Sequence, residues 1–149
     1  MSVISKGTPA PPVLGVDTGE GTRALFFYKV TCPVCQMAGP IAKQLEASYP
    51  GTVTGIGQDP EDKLDAFAGE YGWSFASEPD LPPYDVSEAY GIRVVPTVVL
   101  VHDGTVTDVV ESWDRDAWNR LSSELAELTG NEAVTLSTAA DGLPVFRPG

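Results

Sequence analysis

Apolar positions follow two different periods along this chain. Ala24-Leu25-Phe26-Phe27-Tyr28-Lys29 is apolar almost without a break, which predicts a strand buried on both faces. Past Pro33 the period changes. Val34, Met37, Ala38, Ile41, Leu45 and Tyr49 fall on one stripe with 3.6-residue spacing, which predicts a helix from Pro33 to about Tyr49. Pro33 suits the first helical position, where its missing N–H costs nothing. Pro40 lies inside the helix and should kink it, and Pro50-Gly51 should end it. Thr52 to Gly57 reads as the next strand, weakened by two glycines. Asp59 then reads as a capping residue, with Pro60 opening a helix whose first-turn acids face its positive end. Leu64, Phe67, Ala68 and Tyr71 keep the i, i+3, i+4, i+7 pattern, and Gly72 stops it.

The remaining segments have weaker patterns. Residues 1–12 read as a loose lead-in, Val13 to Val16 as a short strand, and 73–84 as an irregular loop with three prolines. A short helix is expected from Ser87 to Tyr90, ended by Gly91. Thr97 to Val101 and Thr105 to Glu111 read as strands joined by an Asp103-Gly104 hairpin turn. Asp114 should cap a last helix with Trp118, Leu121, Leu125 and Leu128 on its core face and Gly130 just past its end. Residues 131–149 read as a C-terminal tail. The order β-α-β-α, hairpin, α predicts an α/β domain over residues 1–149, with its core in about 10–130 and right-handed crossovers.

A length of 149 residues with 42% hydrophobic positions supports one ordinary core. The net charge of −12 argues against nucleic acid as a partner and for an acidic, solvated surface. No apolar run is long enough to span a bilayer, and no secretory signal is visible, so the cytoplasm is the expected compartment.

The chain has two cysteines, Cys32 and Cys35, at the predicted junction of the first strand and the first helix. Two cysteines cannot build a disulfide framework, and they supply only half of a zinc site. His102 is far away in sequence. A C-x-x-C loop can close reversibly, and a helix N-terminus favours thiolate over thiol, so dithiol–disulfide chemistry is open to this pair. Inert core thiols and a partial metal site are the competing readings.

Cys32-Pro33-Val34-Cys35, the helix-interior Pro40, and Val94-Val95-Pro96-Thr97 before a strand together resemble the thioredoxin-like superfamily. Gln58-Asp59, Phe67-Ala68-Gly69-Glu70-Tyr71-Gly72 and Ala89-Tyr90-Gly91-Ile92-Arg93 are similar to the TlpA-type thiol–disulfide oxidoreductases and their redoxin relatives. The resemblance implies a thioredoxin-like fold, a central mixed sheet flanked by helices. It implies Cys32 as nucleophile and Cys35 as resolving thiol, and it implies a cis Pro96 that turns the Val95 backbone towards an extended substrate. Thr31, Pro33, Val34, Val95 and Pro96 would shape the site. Protein or small-molecule thiols and disulfides would be the substrates, and a thioredoxin reductase or another dithiol would supply electrons. No metal and no cofactor beyond the Cys32–Cys35 disulfide is expected.

The chain departs from thioredoxin itself at two positions. Thr31 stands where thioredoxin has tryptophan, and Phe26 where it has a buried acid. Glu78 and Asp80 are therefore candidate proton acceptors for Cys35, Lys29 a candidate electrostatic aid, and Trp73 and Trp113 candidate site borders. A redoxin-type thiol peroxidase is an alternative activity, although neither cysteine lies in the Pro-x-x-x-Thr-x-x-Cys setting. A soft-metal module using both thiolates is another.

Overall fold

The computed structural model describes residues 2–149; Met1, the first residue of the expected lead-in, lies outside them. The continuous apolar run becomes β1 (Thr22–Tyr28), the central strand of a five-stranded sheet. After it come α1 (Pro33–Ser48), β2 (Val53–Gly57), α2 (Glu61–Tyr71), β3 (Ser77–Pro79), α3 (Asp85–Ala89), β4 (Thr97–His102) and β5 (Thr105–Glu111). β6 (Trp113–Asp114), α4 (Arg115–Thr129), one 3₁₀ turn (Ala139–Asp141) and β7 (Phe146–Arg147) complete the chain. The sheet order is β3-β2-β1-β4-β5. β1, β2 and β3 are parallel, whereas β4 runs antiparallel to both β1 and β5, so the sheet is mixed.

Successive side chains of β1 point to opposite faces. Ala24, Phe26 and Tyr28 join one cluster with Ile41 and Leu45 of α1, Phe67 of α2 and Trp118, Leu121 and Leu125 of α4. Leu25 and Phe27 join the other, with Ile56, Tyr90, Val99 and Val13. That is why the strand is apolar from Ala24 to Tyr28, after Thr22 and Arg23 at its start. Each large apolar side chain buried this way stabilises the fold by about 1.5–3 kcal/mol.

The glycines of β2 serve close packing. A Cβ at Gly57 would run into the side chain of Leu64, so the bare backbone lets α2 settle on the strand. The Asp103-Gly104 turn is present, with φ of 46° and 83°, the positive angles that a tight hairpin requires.

Three expectations need correction, and the tail takes a structure that its pattern left open. Val13 to Val16 is a tight turn closed by a single bridge, with Leu14 pointing into solvent. Within the expected loop at 73–84, Ser77–Pro79 pairs with β2 as an edge strand; its short length and its proline hid it. Helix α2 starts at Glu61 with Pro60 as its N-cap and no side-chain cap, because Asp59 is engaged elsewhere. Residues 131–149 are tied to the body of the fold. Val134 N–H donates to the Tyr49 hydroxyl at 2.9 Å, Trp113 Nε1 donates to Pro144 O at 2.7 Å, and β7 pairs antiparallel with β6.

Candidate functional site

β1 runs into the loop 29–32, and α1 begins immediately after it. Two side chains pin that loop at Val30. Its N–H donates to Asp59 Oδ2 at 2.9 Å, and its carbonyl accepts from Gln36 Nε2 at 2.9 Å. The parallel register, with Tyr28 opposite Gly57, sets the residues just beyond β1 and β2 side by side and so brings Asp59 to Val30. Cys32 is held in turn by its own N–H, which donates to Lys29 O at 3.1 Å.

Cys32 is the N-cap of α1, with extended backbone (φ −79°, ψ 117°) and Pro33 following as expected. Its Sγ accepts from the Cys35 N–H at 3.2 Å, so the sulfur occupies the place that a capping oxygen takes elsewhere. It also lies 3.5 Å from the Val95 carbonyl oxygen. Cys32 is partly exposed and Cys35 fully buried, and both are free thiols. Burial pushes the Cys35 thiol well above the ordinary range. The hydrogen bond with Cys32 pushes the same way, and so does the charge of Asp59.

The antiparallel register of β1 and β4, with Phe27 opposite Thr97, delivers the Val94-Val95-Pro96 loop to the same end of the sheet. The Val95–Pro96 peptide is cis. Pro96 is buried and Val95 half-buried. Beside them a groove of about 210 Å³ is lined by Gln58, Ile92, Arg93, Val94 and Val95. Arg93 is held there by Glu111, with Nε and Nη2 each 2.8 Å from a carboxylate oxygen. Thr31 and Pro33 are exposed around the dithiol, while Val34 points into the core.

Other candidates have different duties. Asp80 is buried and caps α3, accepting from Val86 N at 3.2 Å, Ser87 N at 2.8 Å and Ser87 Oγ at 2.6 Å. Glu78 lies on the edge strand against Gly15. Trp73 and Trp113 are core residues whose indole N–H groups donate to Gly39 O and Pro144 O. His102 Nδ1 pairs with Thr22 Oγ1 at 2.8 Å, at the opposite end of β1 from the thiols. Phe26 fills the place of the missing acid with an aromatic cluster, edge-on to Trp73 and Trp118. Sequence reasoning missed Asp59 as a site residue, although Gln58-Asp59 at a strand end was visible; the parallel strand register was the signal that could have found it.

No protein-family model matches the chain, and no curated protein sequence matches it significantly. Solved structures do. A secreted disulfide oxidoreductase of Mycobacterium tuberculosis, homologous to E. coli DsbE, is 25% identical, with a TM-score of 0.60 over 72% of this chain and 82% of that one. DsbF of the same organism is 27% identical, with a TM-score of 0.62 over 74% and 82%. A thioredoxin-family thiol:disulfide interchange protein of Chlorobium tepidum shares the fold at 17% identity, with a TM-score of 0.64 over 85% and 98%. Among the described residues no helix is long and apolar enough to cross a membrane. The mixed sheet and the dithiol at the head of α1 give the chain a thioredoxin-like fold, similar to that of these thiol–disulfide oxidoreductases.

Proposed function

We propose that the chain exchanges disulfides with protein substrates through its Cys32-Pro33-Val34-Cys35 dithiol, in the manner of the TlpA-type proteins. One observation carries the reading: Cys32 Sγ is partly exposed and touches both the Cys35 N–H and the Val95 carbonyl, while Cys35 is sealed beneath it. An incoming disulfide can reach only the first sulfur.

In the reducing direction the Cys32 thiolate attacks one sulfur of a substrate disulfide. A mixed disulfide forms, and the substrate's other sulfur leaves as a thiolate. Cys35 then gives up its proton and attacks Cys32 Sγ. The second substrate sulfur departs, and the Cys32–Cys35 disulfide carries away the two-electron deficit. Asp80 is engaged in capping α3 and Glu78 lies on the edge strand against Gly15, so the natural first acceptor for the Cys35 proton is the thiolate released in the preceding step. The α1 N-terminus and the Cys35 N–H stabilise negative charge on Cys32 as attacking and as leaving sulfur. The Val95 backbone supplies an edge against which an extended substrate segment can lie. The dithiol itself carries the electrons, so the cycle calls for no other cofactor. A thioredoxin reductase or a dithiol protein would complete it.

Reduction of insulin disulfides with dithiothreitol as donor tests the reading. Wild type should accelerate precipitation of the insulin B chain, and Cys32→Ser should fall to background. Activity that survives in Cys32→Ser would overturn it. The reduction potential of the pair then fixes direction on a scale that runs from about −270 mV for reductants to about −120 mV for oxidants.

A further inference from the structure

Residues 143–149 run back to the Val95–Pro96 loop beside Cys32. Arg115 Nη2 donates to Leu143 O at 2.6 Å, Trp113 Nε1 to Pro144 O at 2.7 Å and Arg115 N to Val145 O at 2.9 Å. Phe146 and Arg147 then pair antiparallel with Asp114 and Trp113. The last contact is at Ser112. Its N–H donates to Pro96 O at 2.8 Å, and its Oγ accepts from Gly149 N at 3.0 Å, so one residue ties this segment to the Val95–Pro96 loop. Gly149 packs so closely there that a Cβ would run into the Val95 carbonyl oxygen and stand 2.8 Å from the Val95 carbonyl carbon. This is the same carbonyl that Cys32 Sγ touches.

We propose that residues 145–149 act as a strap competing with the substrate for the Val95 backbone, so that the dithiol engages a large disulfide substrate only after the strap swings away. The inference rests on the disulfide-exchange reading for its consequence, and on Gly149 and Val95 for its geometry. The strap suits such a role. Val145 and Phe146 are 59% and 54% exposed, so its backbone bonds hold it and little apolar burial does. Segments built that way open at low free-energy cost, because the freed groups find water or a substrate backbone instead.

Two variants test it. One ends after Pro144, which leaves the carbonyls of Leu143 and Pro144 in place as acceptors. The other is Gly149→Leu in the full chain, whose side chain cannot share space with the Val95 carbonyl. The readouts are the rate of Cys32 alkylation by a bulky maleimide, and kcat/KM for reduction of insulin disulfides. Both should rise by about three- to tenfold, while alkylation by small iodoacetamide changes little. Maleimide rates at or below wild type in both variants would overturn the strap. If the shortened chain fails to fold, Gly149→Leu alone decides. Alkylation needs no enzymatic activity, so the two ideas fail separately: faster labelling without any insulin reduction, in wild type or variants, keeps the strap and sinks the disulfide-exchange reading.

Discussion

Cys32 and Val95, 63 residues apart in sequence, meet at 3.5 Å between Sγ and the carbonyl oxygen. One register produces that meeting. β1 carries Cys32 past the end of the sheet, and the antiparallel pairing of Phe27 with Thr97 returns the chain to the same end just before β4 begins. The reactive sulfur and the backbone edge beside it are therefore fixed by one rigid pair of strands. Sites held on such elements keep their geometry better than sites held on free loops.

The first prediction separates the two thiols. Cys35→Ser leaves Cys32 able to attack but removes the sulfur that releases it. Incubation with oxidised insulin should accumulate a mixed disulfide, visible as a larger species on non-reducing gels and reversed by dithiothreitol. Cys32→Ser should form almost none, because Cys35 is buried. Equal trapping by both variants would show that the thiols are equally accessible.

The second prediction concerns pH. Burial raises the Cys35 thiol, and the Asp59 charge adds to the effect. Cys35 therefore stays protonated through neutral pH and beyond the ordinary thiol range near about 8.5. Decay of the wild-type mixed disulfide should then speed up about tenfold per pH unit from 7 to 9 without a plateau, in rapid-quench measurements. Asp59→Asn keeps an acceptor for the Val30 N–H and removes the charge, so its resolving step should be as fast as wild type or faster. Asp59→Ala frees the loop and should be slower. A plateau below pH 8 would refute the raised Cys35 pKa, and a slow Asp59→Asn would make the charge itself useful.

Most of this fold was legible because its central strand is buried on both faces. Phe26 and Phe27 each had to be apolar, and the helical stripe from Val34 to Tyr49 had one sheet face to fill. What escaped notice lacks a period of its own. β3 is three residues long, includes a proline and is recognisable only by its pairing with β2. Asp59 looks like a cap in sequence, and its partner at Val30 is set by strand register, which no local pattern encodes. The tail has no pattern that shows its docking, because β7 is two residues long and its anchors, Arg115 and Trp113, belong to a different part of the chain.

The third prediction tests how firmly that tail is held. Tyr49 is buried beneath it, with its hydroxyl paired to Ser122 Oγ at 2.8 Å and accepting from Val134 N. Tyr49→Phe would leave the Val134 N–H without its acceptor and should cost about 1–2 kcal/mol in urea unfolding. Arg115→Ala removes the donors to Ser137 Oγ and Leu143 O. It should cost about 1–3 kcal/mol and speed proteolytic cleavage within 138–149. A change of under about 0.5 kcal/mol in both variants would mean the tail contributes nothing to stability.

The fourth prediction comes from Glu124 on α4. Burial raises its carboxyl pKa to about 7, helped by the charge of Asp108 and a hydrogen bond to it, and opposed by Arg120 and Lys6. The Arg120–Glu124 ion pair, at 3.5 Å, would by itself lower the pKa. It loses because Arg120 is shared with Asp108, reaching both its carboxylate oxygens at 3.2 Å. A group raised in the folded state contributes its full stability below its unfolded pKa, near about 4.3 for glutamate, and loses it as pH rises through the folded value. Between about 4.3 and 7 the folded chain holds a proton that the unfolded chain has released, so stability falls with pH across that window. Glu124→Gln imitates the protonated form. It should melt with wild type at pH 5 and above it at pH 8. The side chain is 28% exposed, so solvent screening holds the gain below about 1 kcal/mol, or a few degrees in Tm. Melting curves at the two pH values check it: an equal difference at both would trace the effect to packing, and a less stable variant at pH 8 would show that the pair with Arg120 outweighs burial.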